Sequence, residues 1–478
     1  MPYDLAALDR IEQRFVRRGT SLFVETYNRD TSEVLDSFEF TNAPQALPTE
    51  VQDVARQRLV NLVSPLAGPG KSASLKKQLV GRFKTLALGG SDHTTSLQFD
   101  VEANAYALRI WIPNLAGVTI PNVKVCVGPQ NQIASGINTT GGFINATFGG
   151  ASSATLPAGG TAGGFLSAET PSWTPTDIIM CPGVARVDSG TRQLFTVRVE
   201  VPSASTTITI PYGGFAGWTD GVSAGGRLFI RRAQAVLGVT TTASFTNTAV
   251  ENANFIPCMV EYFLADGNGT QVLIVGDSTR EGAPNATAAA LYYAADQRAC
   301  YELSTPSKPI EYFNAAQHGQ TALVYTQYAA SVAAMVAPNV VIASPYSINS
   351  FSTNISNGTM QQYRGVAGWQ AKLASDARGA LIVTTGLPVN PAFKTYTTDQ
   401  SRRDFNAELI GKAAPGSLRY VSDVAGTIFS GAVDGNGQTN ITVASPVLVN
   451  TDGAHPTDAG NDVLKVPTKA ILSALLGL

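Results

Sequence analysis

The chain has 478 residues, a net charge of −2 at pH 7 and only 14% charged residues. This length exceeds what one hydrophobic core usually reaches, so two or three domains are expected. The near-neutral charge, with no basic run among aromatic residues, argues against nucleic acid as a partner. The start carries both charge signs and no stretch of about 18 apolar residues occurs, so neither a secretory signal nor a membrane span is predicted. The compartment stays open: the cytoplasm, or a virion or extracellular location reached by a non-standard route.

Residues 1–75 are predicted to form a helical N-terminal segment. A capping-box pattern, Thr49-Glu50-Val51-Gln52, follows Pro48 and indicates a second helix. The apolar faces of these helices need a partner, either the rest of the chain or another copy, so a homo-oligomer formed through this segment is one expectation. The first helix is indicated between residues 4 and 18, where apolar residues recur at helical spacing: Leu5, Leu8, Ile11 and Phe15.

Residues 76–255 are predicted to form a β-sandwich accessory domain, of jelly-roll-like type. Short alternating or apolar runs, such as 105–112 and 193–201, are separated by Gly, Pro, Asn and Ser. Three tryptophans of this region, Trp111, Trp173 and Trp218, fill the core of the sandwich or stack against sugar rings.

Beyond residue 255, strand-like and helix-like runs alternate, beginning with 272–275 and 286–299. This alternation predicts parallel strands joined by crossover helices, and therefore an α/β sheet that is buried on both faces. Ser278 follows the first of these strands. Ligand sites of open α/β sheets form at the carboxyl ends of strands, so Ser278 is expected to face such a site.

A serine hydroxyl becomes a competent nucleophile only when an imidazole removes its proton and a carboxylate orients the imidazole. The sequence Asp452-Gly453-Ala454-His455, close to the end of the chain, supplies both groups. Ser278, His455 and Asp452 are therefore the candidate nucleophile, base and orienting acid. Such a set acts on esters without a metal or an organic cofactor, and none is predicted.

These motifs resemble those of the SGNH, or GDSL-like, hydrolase family. Its first block centres on Gly-Asp-Ser, as in Gly276-Asp277-Ser278, and its last block is Asp-x-x-His, as in Asp452 and His455. The resemblance implies a flavodoxin-like, three-layer α/β/α hydrolase domain over residues 256–478.

The two middle blocks of the family are only partly kept. The second resembles Asn-x-Gly-x-x-Gly-x-Thr, and the segment 314–321 keeps Asn314, Gly319 and the threonine. The third is usually Gly-x-Asn-Asp after an apolar strand, and here Asn349 alone survives. The resemblance implies an oxyanion hole formed by the backbone N–H groups of Ser278 and Gly319 and the side chain of Asn349.

Other chemistry-bearing residues have plainer interpretations. Arg280 and Glu281, just after the nucleophile, are expected to form an ion pair on a helix surface. The cysteines lack the paired short spacing of a zinc site, so they are predicted to be buried free thiols, with one or two disulfides as the alternative. They are Cys126, Cys181, Cys258 and Cys300.

The predicted function is that of a serine esterase that hydrolyses short-chain esters, most readily acetyl groups, with O-deacetylation of a polysaccharide as the favoured reaction. Its partner is then an acylated carbohydrate or another small ester. One alternative is a structural or adhesive glycan-binding protein of a phage tail or cell surface that retains an esterase fold. Another is a lipid esterase or thioesterase, since fold alone does not choose among these substrates.

Overall fold

Antiparallel sheets make up the first half of the chain, and a parallel sheet with helices makes up the second half. The computed structural model describes residues 11–18, 21–28, 34–40, 72–78, 84–88, 93–102, 104–114, 117–129, 143–162, 168–181, 186–187, 192–202, 208–212, 221–222, 228–229, 231–234, 258–265, 267–281, 294–317, 319–350, 360–388, 400–411, 419–428, 448–449 and 453–478.

The N-terminal segment contains strands where a helix was predicted. The first predicted helix, over residues 4–18, is replaced from residue 11 onward by a strand that pairs antiparallel with the next one. Arg18 pairs with Ser21, so the two strands are connected within two residues, and the second is rich in the β-branched and aromatic residues that favour strands. The second predicted helix, at residues 49–63, lies outside the described residues. The strands are β1 (Ile11–Arg18), β2 (Ser21–Asn28) and β3 (Val34–Phe40).

Two antiparallel sheets share one hydrophobic cluster. Phe99, Val125 and Phe195 come from the first sheet, and Leu108 and Val260 from the second. The first sheet has the order β10-β8-β16-β6-β20, with β9 and β15 at its side, and the second has the order β13-β7-β21-β4, with β14 at its side. Their strands are β4 (Ser74–Gln78), β6 (His93–Glu102), β7 (Ala105–Asn114), β8 (Ile120–Pro129), β9 (Ile144–Asn145), β10 (Ala154–Leu156), β13 (Ser172–Pro175), β14 (Ile179–Met180), β15 (Arg186–Val187), β16 (Arg192–Val201), β20 (Arg231–Gln234) and β21 (Met259–Leu264).

Three short antiparallel pairs complete the described part of this half. They are β5 (Lys84–Leu88) with β17 (Ile208–Tyr212), β11 (Gly160–Ala162) with β12 (Ala168–Thr170), and β18 (Gly221–Val222) with β19 (Leu228–Phe229).

The second half contains the predicted parallel sheet, in the order β23-β22-β24-β25-β26. Each of its pairings is parallel, and this order is the one found in flavodoxin-like sheets. The strands are β22 (Thr270–Val275), β23 (Ile310–Asn314), β24 (Val340–Ala343), β25 (Ala380–Thr384) and β26 (Arg419–Ser422). The helices are α1 (Ser278–Glu281), α2 (Ala295–Leu303), α3 (Ala322–Val336), α4 (Met360–Asp376), α5 (Gln400–Gly411), α6 (Val424–Ile428) and α7 (Asp458–Leu476).

Helices cover both faces of the parallel sheet. Alternate side chains of β22 enter different clusters, since successive residues of a strand point to opposite faces. Leu273 packs with Tyr325 of α3 and Phe405 of α5, whereas Ile274 packs with Leu472 of α7. The near-continuous apolar sequence of β22 is explained by this burial on two sides. Among the described helices, none is both long and apolar enough to cross a membrane.

The antiparallel and parallel sheets are joined by buried side chains. Gln271 of β22 accepts a hydrogen bond from the Lys76 backbone N–H of β4 at 2.7 Å and donates to the Lys76 carbonyl at 3.2 Å. Tyr262 of β21 donates to Glu311 of β23 at 3.0 Å. Because β21 pairs with β4 and β7, the change from antiparallel to parallel pairing falls between Leu264 and Thr270.

Two of the three tryptophans of the accessory region lie at this junction. Trp111 and Trp173 are partly buried and pack against the hydrophobic cluster of the parallel sheet. The rings of Trp173 and Phe313 make an edge contact with centroids 6.2 Å apart. Trp218 lies outside the described residues. The described pair therefore holds the two halves of the chain together.

All four cysteines are free thiols, as the scattered spacing predicts. Burial raises the pKa of Cys126 and of Cys181 to about 12 in each case, and it also raises the pKa of Cys258. Thiols with raised pKa values are poor nucleophiles, so these three are structural side chains.

Candidate active site

Ser278 lies at the carboxyl edge of the parallel sheet, at the start of α1. Strand β22 ends at Val275, and the two residues Gly276 and Asp277 lead directly into the helix. The neighbours of β22 are β23 on one side and β24 on the other. Since the chain order of the sheet reverses at β22, its carboxyl end opens into the crevice where α/β proteins bind ligands. Ser278 is 4% exposed there.

His455 reaches Ser278 from the other end of the chain. Its Nε2 lies 2.8 Å from the Ser278 Oγ, although the two residues are 177 positions apart. This separation is within hydrogen-bond reach, as proton transfer from a nucleophile to a base requires. His455 is itself 9% exposed, so the pair is shielded from bulk water.

The start of α7 holds the segment that carries His455. Thr457 caps the helix, because its hydroxyl accepts a hydrogen bond from the Gly460 backbone N–H at 3.1 Å. The Thr457 backbone N–H donates to the Leu448 carbonyl at 3.0 Å. Asp452, the predicted orienting acid, lies outside the described residues, so its role stays a prediction.

Gly460 is packed directly against a carbonyl of this segment. A Cβ atom at Gly460 would lie 2.0 Å from the Leu448 carbonyl oxygen, far inside the contact distance of the two atoms. We expect Gly460→Ala to lower the free energy of unfolding by about 3 kcal/mol, because backbone would have to move. Urea unfolding followed by circular dichroism measures this change.

Gly365 of α4 provides the matched control for that substitution. No heavy atom lies within 4 Å of a Cβ placed there. Gly365→Ala is therefore expected to raise the free energy of unfolding by about 0.5–1 kcal/mol, through helix propensity alone. Equal stability of the two variants would contradict the packing described for α7.

Two of the predicted oxyanion donors, Gly319 and Asn349, lie in the loops that follow the strands on either side of β22. Gly319 follows β23 and has a φ of +72°, a backbone conformation that favours glycine. Within the described part of the chain, no heavy atom lies within 4 Å of a Cβ placed there. Asn349 follows β24, in a short 3-10 helix, Ile348–Ser350. Its Nδ2 is buried and has no hydrogen-bond partner among the described residues. A buried amide nitrogen with no such partner is suited to donate a hydrogen bond to a ligand.

Asp277 supports the turn on which Ser278 lies. One carboxylate oxygen accepts hydrogen bonds from the Thr279 backbone N–H at 3.0 Å and from the Thr279 hydroxyl at 2.7 Å. The other accepts from the Ser347 hydroxyl at 2.9 Å. Ser347 is a site residue that the sequence motifs do not mark. Its only sequence signal is its place two residues before Asn349, where the family pattern Gly-x-Asn-Asp has glycine.

Arg280 is buried, which corrects the prediction of an ion pair on the helix surface. Its guanidinium lies 2.9 Å from the Asp296 carboxylate of α2, and the two side chains are 4% and 1% exposed. Its carbonyl accepts a hydrogen bond at 2.9 Å from Asn314, the asparagine of the second block. The Asn314 side-chain oxygen, Oδ1, accepts a hydrogen bond from the Ala316 backbone N–H at 2.9 Å. These contacts fix α1 to its neighbours, so Arg280 and Asn314 have supporting roles.

A small pocket lies beside the serine turn. Tyr325, whose pKa is raised well above its usual range by burial, donates to the carbonyls of Ser344 and Tyr346 at 2.8 and 3.0 Å. The loop after β25 passes close to Tyr346, because a Cβ at Gly386 would lie 2.7 Å from that ring. The pocket is lined by Asp277, Thr279, Arg280, Ser344, Tyr346, Ile348, Thr385, Leu387 and Ala454.

No metal site is found in the described part of the chain, where no group of three His, Cys, Asp or Glu side chains is placed to hold an ion. A serine hydroxyl and an imidazole that meet at the carboxyl edge of a parallel sheet are typical of α/β proteins in which a nucleophile is paired with a base.

No family model matches the chain, and no curated protein matches it in sequence. Solved structures similar to it include the lipase/acylhydrolase from Enterococcus faecalis, at 13% identity and a TM-score of 0.32, covering 43% of this chain and 96% of that one. A GDSL-like lipase from Bacteroides thetaiotaomicron has 17% identity and a TM-score of 0.30, covering 44% and 88%. Axe2, an acetylxylan esterase from Geobacillus stearothermophilus, has 14% identity and a TM-score of 0.30, covering 44% and 94%. At these values, the function must be inferred from the residues of the site itself.

Proposed function

We propose that this chain is a serine esterase of the SGNH type that works through an acyl-enzyme. The observation that carries the proposal is the 2.8 Å contact between the Ser278 Oγ and the His455 Nε2 at the carboxyl edge of the sheet. The buried Asn349 amide, without a partner among the described residues, supports it as a donor for a developing oxyanion.

The mechanism follows from these positions. His455 takes the proton of Ser278 as the hydroxyl oxygen attacks the ester carbonyl, and a tetrahedral intermediate forms. The backbone N–H groups of Ser278 and Gly319 and the Asn349 side chain hold its oxyanion. His455 then donates the proton to the leaving alcohol. Water attacks the acyl-enzyme with His455 again as base, which releases the acid and restores the serine.

In this proposal Asp452 orients the imidazole of His455 and stabilises its positive form. Its sequence position, three residues before His455, is the basis for this role. Replacement of Asp452 by asparagine would keep the shape and remove the charge.

The pocket supports a short acyl group. Its apolar lining beyond the serine turn comes from Tyr346, Ile348, Leu387 and Ala454. Leu387 is held by its neighbour Gly386, whose backbone N–H donates to Asn406 at 2.8 Å. These apolar side chains beside the serine turn support a short acyl group, and acetyl is the one we propose.

A polysaccharide is the proposed acceptor. We interpret the two antiparallel sheets with their shared core as a β-sandwich accessory domain. Its packing against the parallel sheet through Trp111 and Trp173 supports a fixed surface beside the hydrolase domain, on which a polymeric substrate could lie.

A panel of substrates tests both parts of this proposal. Acetylated xylan and other acetylated glycans are compared with p-nitrophenyl acetate, butyrate and octanoate, with released acid as the readout. We expect kcat/KM for p-nitrophenyl acetate to exceed that for p-nitrophenyl octanoate by about 100-fold, because each additional methylene of the acyl chain would clash with the pocket wall. Acetate release from a glycan supports the polysaccharide, and a preference for octanoate would overturn the short-acyl assignment.

A further inference from the structure

The hydroxyl of Ser347 lies where three loops of the candidate site meet. Ser347 is 0% exposed. Its Oγ is 2.9 Å from the Asp277 carboxylate and 3.0 Å from the Gln320 carbonyl, and it accepts a hydrogen bond from the Asn349 backbone N–H at 3.1 Å. These partners belong to the segments that follow β22, β23 and β24.

Each residue that this hydroxyl contacts is either a proposed oxyanion donor or the sequence neighbour of one. Asp277 immediately precedes Ser278, Gln320 immediately follows Gly319, and the third contact is to Asn349 itself. A hydroxyl suits this place because it donates and accepts at once, which neither glycine nor alanine can do.

We propose that Ser347 is a positioning residue that sets the three oxyanion donors at their mutual distances; this inference rests on the proposed esterase function. Removal of the hydroxyl leaves the Asp277 carboxylate without one partner and the Asn349 backbone N–H without its acceptor. The loops after β23 and β24 then lose a shared anchor, so the donors are less well placed for the transition state than for the bound ester.

The test is the kinetics of Ser347→Ala with p-nitrophenyl acetate. We expect kcat to fall by about 30-fold while KM changes by less than about twofold, because the lost interaction acts mainly in the transition state. Ser347→Thr, which keeps the hydroxyl, is expected to retain kcat within about threefold of the wild type. If Ser347→Ala does not fold, Ser347→Cys keeps the approximate volume with a weak donor and is expected to show the same loss of kcat.

A double variant separates positioning from general loss of stability. Asn349→Ala alone is expected to lower kcat by about 100-fold. Because Ser347 acts partly through Asn349, the Ser347→Ala/Asn349→Ala protein should lose less than the product of the two separate factors. The control is Ser304→Ala, which removes a hydroxyl that accepts the Ile310 backbone N–H at 2.9 Å at the opposite end of β23. It is expected to leave kcat unchanged.

The outcomes distinguish this inference from the proposed function. Two results would overturn the positioning role alone. In the first, turnover is lost in Ser278→Ala but unchanged in Ser347→Ala. In the second, Ser347→Ala and Ser304→Ala lose the same amount of kcat. Full additivity of the double variant would also overturn it. A wild-type protein without esterase turnover would overturn the proposed function, and the inference with it.

Discussion

Ser278→Ala is expected to lower kcat for p-nitrophenyl acetate by about a millionfold, to the background left by binding and the oxyanion donors. The hydroxyl lies 2.8 Å from the His455 Nε2, so its removal eliminates both the attacking atom and the acyl-enzyme. Initial rates and the burst of p-nitrophenol in the first turnover measure this loss.

The substitution should leave the fold intact, since alanine fits where a serine that is 4% exposed now lies. The melting temperature is expected to remain within about 4 °C of the wild type, a change that corresponds to about 1 kcal/mol or less. Ser304→Ala serves again as the control for a lost serine hydroxyl. Undiminished hydrolysis by Ser278→Ala would exclude this serine as the nucleophile.

His455→Ala is expected to lower kcat by about as much as Ser278→Ala does. The serine then has no base within reach, and its own proton stays on the hydroxyl at neutral pH. Because the two residues act as a unit, the double variant should be about as active as either single variant, not less active by the product of both losses. The same p-nitrophenyl acetate assay measures all three proteins.

Addition of imidazole to His455→Ala provides the control, since a small base can enter the space left by the side chain. Partial recovery in that variant, with none in Ser278→Ala, is the expected result. The role of this histidine as base would be contradicted if His455→Ala had a normal kcat and imidazole raised the activity of neither variant.

The sequence predicts the parallel half of the fold well because its signals are local. Each buried strand is a short apolar run, and each helix between strands has its own periodicity, so the alternation is visible without knowledge of the pairing. The Gly-Asp-Ser turn after β22 and the histidine near the chain end are likewise short motifs. Their meeting is a property of the sheet order, which brings the end of β22 and the start of α7 together.

The N-terminal segment could not be predicted in this way. Leu5, Leu8, Ile11 and Phe15 recur at helical spacing, but the chain from residue 11 forms a strand that pairs with β2. Strand formation depends on a partner strand and not on the segment alone, so short-range periodicity does not reveal it. The helix predicted over residues 4–18 is wrong from residue 11 onward, because the pairing between β1 and β2 outweighs the helical pattern there.

Contacts between distant parts of the chain account for the other differences. Arg280 finds Asp296, 16 residues away, in a buried pair that the sequence does not mark. Ser347 is 70 residues from Asp277, and its contact exists only because β22 and β24 are neighbours. Polar side chains with such roles are identified from coordinates, since their residue types are also common on surfaces.

Covalent labelling tests whether Ser278 is a nucleophile that His455 activates. The protein is treated with a fluorophosphonate, digested and mapped by mass spectrometry, with Ser278→Ala and His455→Ala in parallel. We expect a single adduct on the peptide that contains Ser278, absent from the first variant and strongly slowed in the second. An adduct on a different serine, or labelling of Ser278 at the same rate without His455, would contradict the account.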